Sequence, residues 1–250
     1  MKHWIKRVLD RSGYALFPKR NHYPGDGLCT LHSDHFRCDP RFQAAYARGV
    51  QASAGVDPQF EWRVHVALWA ASVGARMDGD FVECGVNAGF ISSAILRYLP
   101  WNDAARRFYL IDTFAGPVLE QFSAEEARGG RIEIAKEAIA AGAYVTDIDR
   151  VRRNFAEWPQ AEIVQGRIPD VFETITCESV AFVHVDLNCA APEKAALEFF
   201  WPRLSRGGVV LLDDYAYFGC SSQTAAIDAF AAHVGAQVLS LPTGQGLMVK

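Results

Sequence analysis

The sequence lacks the uninterrupted run of roughly 18 to 20 apolar residues that a membrane-spanning helix needs, although 50% of its 250 residues are hydrophobic. Its first residues are charged where a secretory signal would be apolar, which argues against export by that route. The six cysteines are widely scattered, so we expect reduced thiols and a cytoplasmic location. This length and composition predict one large domain, or one domain with an elaborated arm, rather than a disordered chain.

An excess of positive charge is also absent, because 25 Lys and Arg residues stand against 29 Asp and Glu residues. Residues 51–250 are the more acidic part, which argues against a nucleic-acid partner, whose affinity would come from neutralised phosphates. Residues 1–20 are the exception, with six Lys and Arg residues and a single Asp. This basic segment could make a weak contact with an anionic membrane surface, or it could be a solvated arm or an oligomer contact.

Short apolar segments alternate with helix-like segments from about residue 60 onwards, which predicts βαβ units and a mostly parallel sheet. The turn from Pro242 to Gly246 predicts a terminal hairpin, so the last strand is expected to be antiparallel. The expected fold is α/β and Rossmann-like, with residues 1–58 as an N-terminal arm or lid and residues 59–250 as the main domain. The seven predicted strands are Phe81–Val86, Phe108–Ile111, Ala161–Val164, Ala181–Val185, Val209–Leu212, Gln237–Leu241 and Leu247–Val249.

Two glycines follow the first predicted strand, in the segment Glu83-Cys84-Gly85-Val86-Asn87-Ala88-Gly89. Ligands of open α/β sheets bind beyond the carboxyl ends of the strands, where this segment lies. Gly85 permits a tight turn, and Gly89 lets the next helix begin near the sheet, with free N–H groups that suit a carboxylate or phosphate. Taken alone, a turn of this kind is often only a loop.

An acidic residue, Asp112, ends the second predicted strand, where a carboxylate can accept hydrogen bonds from ribose hydroxyls or simply cap a loop. The third strand ends at Gly166 and Arg167, which could frame an adenine ring. An NAD enzyme would share the first two features, but the turn lacks a glycine that dinucleotide fingerprints keep for the pyrophosphate. S-adenosylmethionine has no pyrophosphate, so we expect it as the cofactor. Its predicted contacts are Glu83, Gly85, Val86, Asn87, Gly89, Asp112, Thr113, Phe114, Gly166 and Arg167.

Three aspartates, Asp186, Asp213 and Asp214, end the next two strands. Adjacent parallel strands lie about 4.8 Å apart, so the three carboxylates should meet at one edge of the sheet. Their mutual repulsion calls for a cation or a proton, and an all-oxygen cluster favours Mg²⁺ or another divalent ion. Alternatively, some of them cap the following helix or pair with Arg203 or Arg206.

Together these segments resemble the S-adenosylmethionine-dependent O-methyltransferases of the macrocin type, which act on sugar hydroxyls in antibiotic and glycan biosynthesis. The resemblance covers about residues 80–250 and implies the class I methyltransferase fold, cofactor contacts at Glu83, Gly85, Asp112 and Phe114, and a metal held by the three aspartates. It rests on FVECGVNAG (81–89), LIDTFAG (110–116), VQGRIPDVFETI (164–175), FVHVD (182–186), ALEFFWPRLSRGGVVLLDDYAYFG (196–219) and LPTGQGLMVK (241–250).

The chain departs from this family at three positions. Relatives usually have a second glycine and a serine where this chain has Phe90 and Ile91, and many have an aspartate where it has Asn188. An amide cannot act as a base, so Asp186 becomes the candidate base, with His32 of the arm as a second catalytic candidate. Similar catechol-type enzymes have a lysine at the position of Cys189, which weakens a catechol assignment.

The predicted reaction is direct methyl transfer from the sulfonium to a hydroxyl of a sugar or glycosylated small molecule, with a divalent metal ion lowering the pKa of that hydroxyl. A small-molecule or glycan acceptor and a homo-oligomer are the expected partners. Two alternatives remain open: a non-catalytic nucleotide- or sugar-binding module on the same fold, and an NAD-dependent oxidoreductase.

Overall fold

Helices and strands alternate along most of the chain in the computed structural model, which describes residues 2–14, 23–30 and 32–250. The helices are α1 (Lys2–Arg11), α2 (Pro40–Ala52), α3 (Glu61–Gly74), α4 (Phe90–Tyr98), α5 (Ala124–Arg128), α6 (Arg131–Ala140), α7 (Ile148–Asn154), α8 (Ala190–Phe200) and α9 (Ser221–Val234). The strands are β1 (Tyr23–Gly25), β2 (Leu28–Thr30), β3 (Asp80–Cys84), β4 (Phe108–Asp112), β5 (Ala161–Gln165), β6 (Val180–Val185), β7 (Leu204–Leu212), β8 (Leu239–Ser240) and β9 (Gly246–Val249). Within these residues, no helix is both long and apolar enough to cross a bilayer.

Seven strands form the main sheet in the order β5-β4-β3-β6-β7-β9-β8. The first five are parallel to one another, whereas β9 runs antiparallel to β7 and β8 antiparallel to β9. This arrangement confirms the predicted Rossmann-like sheet with its terminal hairpin. The chain order reverses at β3, whose neighbours β4 and β6 lie on opposite sides of it, and such a point is where open sheets bind ligands.

The centre of the sheet is buried on both faces, and every residue of β6 is buried. Side chains alternate between the faces, so Phe81 packs in one apolar cluster, with helices α2 to α4, while Val82 packs in another, with α8 and α9. Strands covered by helices on both sides need continuous apolar runs, which is why they were recognisable in the sequence.

The N-terminal segment contributes to this core through α2. The side chain of Asp39 accepts a hydrogen bond from the Arg41 backbone N–H at 2.9 Å and so caps the helix. Phe42 and Ala45 are buried in the first apolar cluster, and α2 packs against α4. Strands β1 and β2 form a separate two-stranded hairpin. The division into an arm of residues 1–58 and a domain of residues 59–250 stays a prediction.

The turn after β3 depends on the absence of a side chain at Gly85. This residue has a φ of +93°, and a Cβ built on it would lie 1.8 Å from the carbonyl oxygen of Asp186. Its N–H donates to the carbonyl of Ile111 at 2.8 Å, so the turn is bonded to the end of β4. The chain therefore needs a glycine here to bring the ends of β3, β4 and β6 together.

Substitution of Gly85 by alanine should destabilise the protein more than the same change at Gly130. Both residues have a positive φ, which costs alanine roughly 1–2 kcal/mol, but a Cβ on Gly130 would meet nothing within 4 Å. The clash at Gly85 should add roughly 1–3 kcal/mol. Urea denaturation of the two variants measures the difference in the free energy of unfolding. Equal losses of unfolding free energy in the two variants would show that the close approach of Gly85 to Asp186 does not contribute to the difference in stability.

Candidate functional site

A cavity of about 520 Å³ opens beyond the carboxyl ends of the central strands, a volume typical of small-molecule sites. Its walls come from the turn after β3, the ends of β4 and β6, the start of α3 and the segment 142–145. Seven of the ten predicted cofactor residues line it: Glu83, Gly85, Val86, Asn87, Asp112, Thr113 and Gly166.

The other three predicted cofactor residues do not line this cavity. Phe114 is buried in the first apolar cluster. A Cβ on Gly89 would lie 2.4 Å from the Phe155 ring, so this glycine faces a packed side chain. The Arg167 guanidinium forms an ion pair with Asp170 at 2.7 Å near the surface.

Asp112 holds two loops at the edge of the cavity. Its Oδ2 accepts hydrogen bonds from the backbone N–H groups of Val86 and Asn87 at 2.7 and 2.8 Å, and its Oδ1 accepts one from Phe114 at 2.7 Å. Asp112 therefore fixes the glycine turn against the end of β4. The sequence pointed to this carboxylate, but could not distinguish ribose binding from this use; a ribose contact stays a prediction.

Asn87 ties the segment after α6 to the glycine turn. Its side-chain oxygen accepts a hydrogen bond from the Val145 backbone N–H at 2.8 Å, and its amide donates to the carbonyl of Ala143 at 3.0 Å. Tyr144 lies between those two residues and lines the cavity. The sequence analysis placed Asn87 near the cofactor and missed this anchoring role, because the partner segment is 56 to 58 residues away in the chain.

A buried acid–histidine pair connects β3 and β6 beneath the cavity. His184 Nδ1 lies 2.8 Å from Glu83 Oε1, and both residues are at most 2% exposed. Burial alone would lower the pKa of His184, but hydrogen bonds and charges from Asp213 and Glu83 raise it to about 10. The second oxygen of Glu83, Oε2, is buried and has no hydrogen-bond partner among the residues that the structure describes, although Glu83 lines the cavity. This oxygen is an unused anionic acceptor.

The predicted acidic cluster occurs at the ends of β6 and β7, which are neighbours in the sheet. Burial, followed by the charges of Asp213 and Asp214, raises the pKa of Asp186 well above its ordinary value. Burial and the charge of Asp213 also raise the pKa of Asp214, to about 6. Asp213 behaves in the opposite way: burial would raise its pKa, but Arg63 and His184 hold it well below the usual range.

Arg63 of α3, which the sequence analysis did not single out, brings a positive charge into this cluster in addition to that of His184. Its Nη1 contacts Asp213 Oδ2 and lies 3.6 Å from Asp214 Oδ1, and its Nε contacts Asp26 of the β1–β2 turn. Burial alone would lower the pKa of Arg63, but the charges of the surrounding aspartates raise it above its ordinary value. The guanidinium is therefore always charged. The sequence analysis had left open a pairing of some of these carboxylates with Arg203 or Arg206; Asp213 instead pairs with Arg63, 150 residues away.

The three aspartates do not fit the predicted Mg²⁺ site. Both carboxylate oxygens of Asp213 are already bonded, Oδ2 to Arg63 and Oδ1 to the Gln245 side-chain amide at 2.9 Å. Across residues 2–14, 23–30 and 32–250, no group of three or more His, Cys, Asp or Glu side chains could hold a metal ion. The sequence analysis expected a cation or a proton to relieve the repulsion between the aspartates, and in the structure Arg63 and His184 bring positive charge to Asp213.

The two predicted catalytic residues have different surroundings. Asp186 lines the cavity, and its Oδ1 accepts a hydrogen bond from the Asn188 side-chain amide at 3.3 Å. His32 is exposed after β2, where its backbone N–H donates to Thr30 Oγ1 at 3.0 Å, and it is not among the residues that line the cavity. The structure therefore places Asp186, and not His32, at the candidate site.

Comparison with known proteins shows similarity to a protein family, to a relative of known activity and to two solved structures. A family model described as a methyltransferase domain matches residues 82–215, slightly more than half of the chain. A curated relative is the 8-demethyl-8-(2,3-dimethoxy-alpha-L-rhamnosyl)-tetracenomycin-C 4'-O-methyltransferase of Streptomyces olivaceus, which is 31% identical over 150 residues. That match covers 57% of this chain and 55% of the relative, so the chain spans about half the length of this relative.

Two solved structures share the fold. The O-methyltransferase NovP superposes with a TM-score of 0.66 at 19% identity, over 87% of this chain and 99% of NovP. The calicheamicin methyltransferase CalS11 superposes with a TM-score of 0.56 at 18% identity, over 84% of this chain and 93% of CalS11. These similarities confirm the resemblance read from the sequence, and the chain belongs to the methyltransferase domain family, with the class I Rossmann-like fold.

Proposed function

We propose that the protein is an S-adenosylmethionine-dependent O-methyltransferase whose acceptor is a hydroxyl of a sugar or of a glycosylated small molecule. Family membership supports the reaction, and the name of the Streptomyces relative, a rhamnosyl-tetracenomycin O-methyltransferase, supports the acceptor class. The observation that carries the proposal is the cavity at the switch point of the sheet, with an unpartnered carboxylate oxygen of Glu83 in its wall.

The residues of this cavity fit the cofactor. The unpartnered Glu83 Oε2 suits the ammonium group of an amino-acid moiety, because a buried carboxylate oxygen without a donor is costly. Gly85 lets the turn lie against the Asp186 carbonyl and so shapes the cavity wall. Val86, Asn87, Asp112, Thr113 and Gly166 are the other predicted cofactor residues that line the cavity. When bound, S-adenosylmethionine supplies an electrophilic methyl group on its sulfonium.

Asp186 is the proposed base for the acceptor hydroxyl. It lines the cavity, and its raised pKa makes it a better proton acceptor than an ordinary carboxylate. Asn188 holds one of its oxygens, so the other is available to a hydroxyl. No role in this reaction is assigned to His32, which is exposed, or to the predicted divalent ion, whose ligand Asp213 is bonded to Arg63 and Gln245.

The proposed partners are the acceptor, a second copy of the chain and a weakly bound anionic membrane surface. The membrane contact is proposed for α1, where Trp4 is 67% exposed and Ile5 and Val8 are also exposed, next to the exposed Arg7 and Arg11. Residues 15–20 of the predicted basic segment lie outside the described residues. The homo-oligomer and the cytoplasmic location stay predictions from the sequence.

Replacement of Glu83 by glutamine should weaken the binding of S-adenosylhomocysteine about tenfold or more, because the cofactor's ammonium group loses a charged acceptor. Isothermal titration calorimetry measures the affinity, and thermal unfolding checks that the fold survives. The matched control is Glu162→Gln, which changes an exposed residue outside the cavity. Unchanged affinity in the Glu83 variant would contradict the assignment. Binding of NAD in place of S-adenosylhomocysteine by the wild type would favour an oxidoreductase.

Replacement of Asp186 by asparagine should lower kcat for methyl transfer to a rhamnosylated acceptor about 10²- to 10⁴-fold, because the base is lost. In the wild type, kcat should fall as the pH drops through the raised pKa of Asp186, above the range of an ordinary carboxylate. Transfer of a radiolabelled methyl group measures both effects, with Asp170→Asn as the surface control. A variant with the full rate would exclude Asp186 as the base. Cofactor binding without transfer to any sugar in the wild type would indicate a binding module.

Replacement of Trp4 by serine should reduce sedimentation with vesicles that contain phosphatidylglycerol, because α1 loses its largest exposed apolar side chain. Raising the salt concentration should release the wild type as well, since the attraction is partly electrostatic. Trp69→Ser is the matched control, because Trp69 is 55% exposed on α3. Equal sedimentation of both variants and the wild type would argue against a membrane contact through α1.

A further inference from the structure

The candidate site contains a buried arginine that the proposed reaction has not used. Arg63 is 8% exposed and lines the same cavity as Asp186. Its guanidinium contacts Asp213, lies 3.6 Å from Asp214 and contacts Asp26, and its Cζ atom lies 4.8 Å from the centre of the Tyr217 ring. Such a set of contacts fixes the guanidinium on the acidic cluster from several directions.

Three separate parts of the fold build this arrangement. Arg63 stands in the first turn of α3, which packs against β7, and the aspartate pair follows the end of β7. Asp26 comes from the turn of the β1–β2 hairpin and has a φ of +51°. The hairpin thus supplies a carboxylate that holds the far side of the guanidinium. An arginine with this many partners is a built part of the site rather than a surface side chain that happens to reach it.

The same contacts occupy both carboxylate oxygens of Asp213, one of the three ligands predicted for a divalent ion. Asp213 Oδ2 is bonded to Arg63, and Asp213 Oδ1 is bonded to Gln245. A divalent ion on these oxygens would also stand beside the fixed positive charge of Arg63, which is strongly repulsive in a buried site. A metal ion and the Arg63 guanidinium would therefore compete for the same position beside Asp213.

We propose that Arg63 takes the place of the divalent ion at this site, so that a permanent protein cation holds the aspartate pair and methyl transfer needs no metal. The proposal has two parts: Arg63 occupies the place of the divalent ion, and methyl transfer needs no metal. Only the second part rests on the proposed function. Arg63 is a positioning residue: it fixes Asp213 and Asp214 beside Asp186 and leaves Asp186 as the carboxylate that faces the acceptor.

Mn²⁺ is the probe that tests the first part, because its free ion gives an electron paramagnetic resonance signal that disappears on binding. The wild type, freed of metal with EDTA, should leave this signal unchanged at equimolar Mn²⁺. Arg63→Met should bind Mn²⁺ at least about tenfold more tightly, because the acidic cluster loses its cation. Arg63→Lys should remain like the wild type, since it keeps the charge, and Arg41→Met on α2 controls for loss of a surface arginine.

Stoichiometric Mn²⁺ binding by the wild type would overturn the proposal, and this result does not depend on whether the variants fold. A folded Arg63→Met variant that gains no affinity for Mn²⁺ would overturn it as well. For the second part, the rate of methyl transfer in EDTA should equal the rate with added Mg²⁺, and a rate restored only by Mg²⁺ would refute it. Absence of transfer under both conditions refutes the proposed function alone, because the Mn²⁺ titration still reports on Arg63.

Discussion

Buried and partly buried carboxylates at the carboxyl edge of the sheet are the constraint on which the site depends. A charge removed from water must be bonded or neutralised, and the fold meets this requirement in a different way at each strand end. Asp112 at the end of β4 is bonded to backbone N–H groups, Glu83 at the end of β3 to His184, and Asp213 after β7 to Arg63 and Gln245. Asp186, at the end of β6, accepts a hydrogen bond from the Asn188 side-chain amide, and burial together with the charges of Asp213 and Asp214 raises its pKa.

The fold was predictable because it depends on local patterns. Each buried strand of the parallel sheet is a short apolar run, and the run that ends at Val185 marks β6 because both of its faces are covered. Gly85 was predictable for a similar reason, since a tight turn after a strand needs a glycine. Even the meeting of Asp186 with the Asp213–Asp214 pair followed from the spacing of adjacent strands.

The partners of those residues were not predictable, because they come from distant parts of the chain. Arg63 lies in a helix whose other residues are mostly apolar, and nothing in that pattern indicates Asp213, 150 residues away, as its partner. Asp112 shows the same limit. Its place at the end of a strand was predicted, but its hydrogen bonds to the backbone N–H groups of Val86 and Asn87 depend on the tertiary structure. The three aspartates at the ends of two neighbouring strands indicated that a positive charge was needed. The sequence did not reveal whether a protein side chain or a metal ion would supply that charge.

Tyr144 illustrates how such long-range bonds order a cavity wall. The oxygen and the nitrogen of the Asn87 side-chain amide bond to Val145 and Ala143, on either side of Tyr144, so the backbone of this cavity-lining residue is fixed. A ligand that contacts the Tyr144 ring meets a wall that is already ordered, and little conformational entropy is lost on complex formation. Discrimination between acceptors of similar shape can then come from the ring itself rather than from closure of a loop.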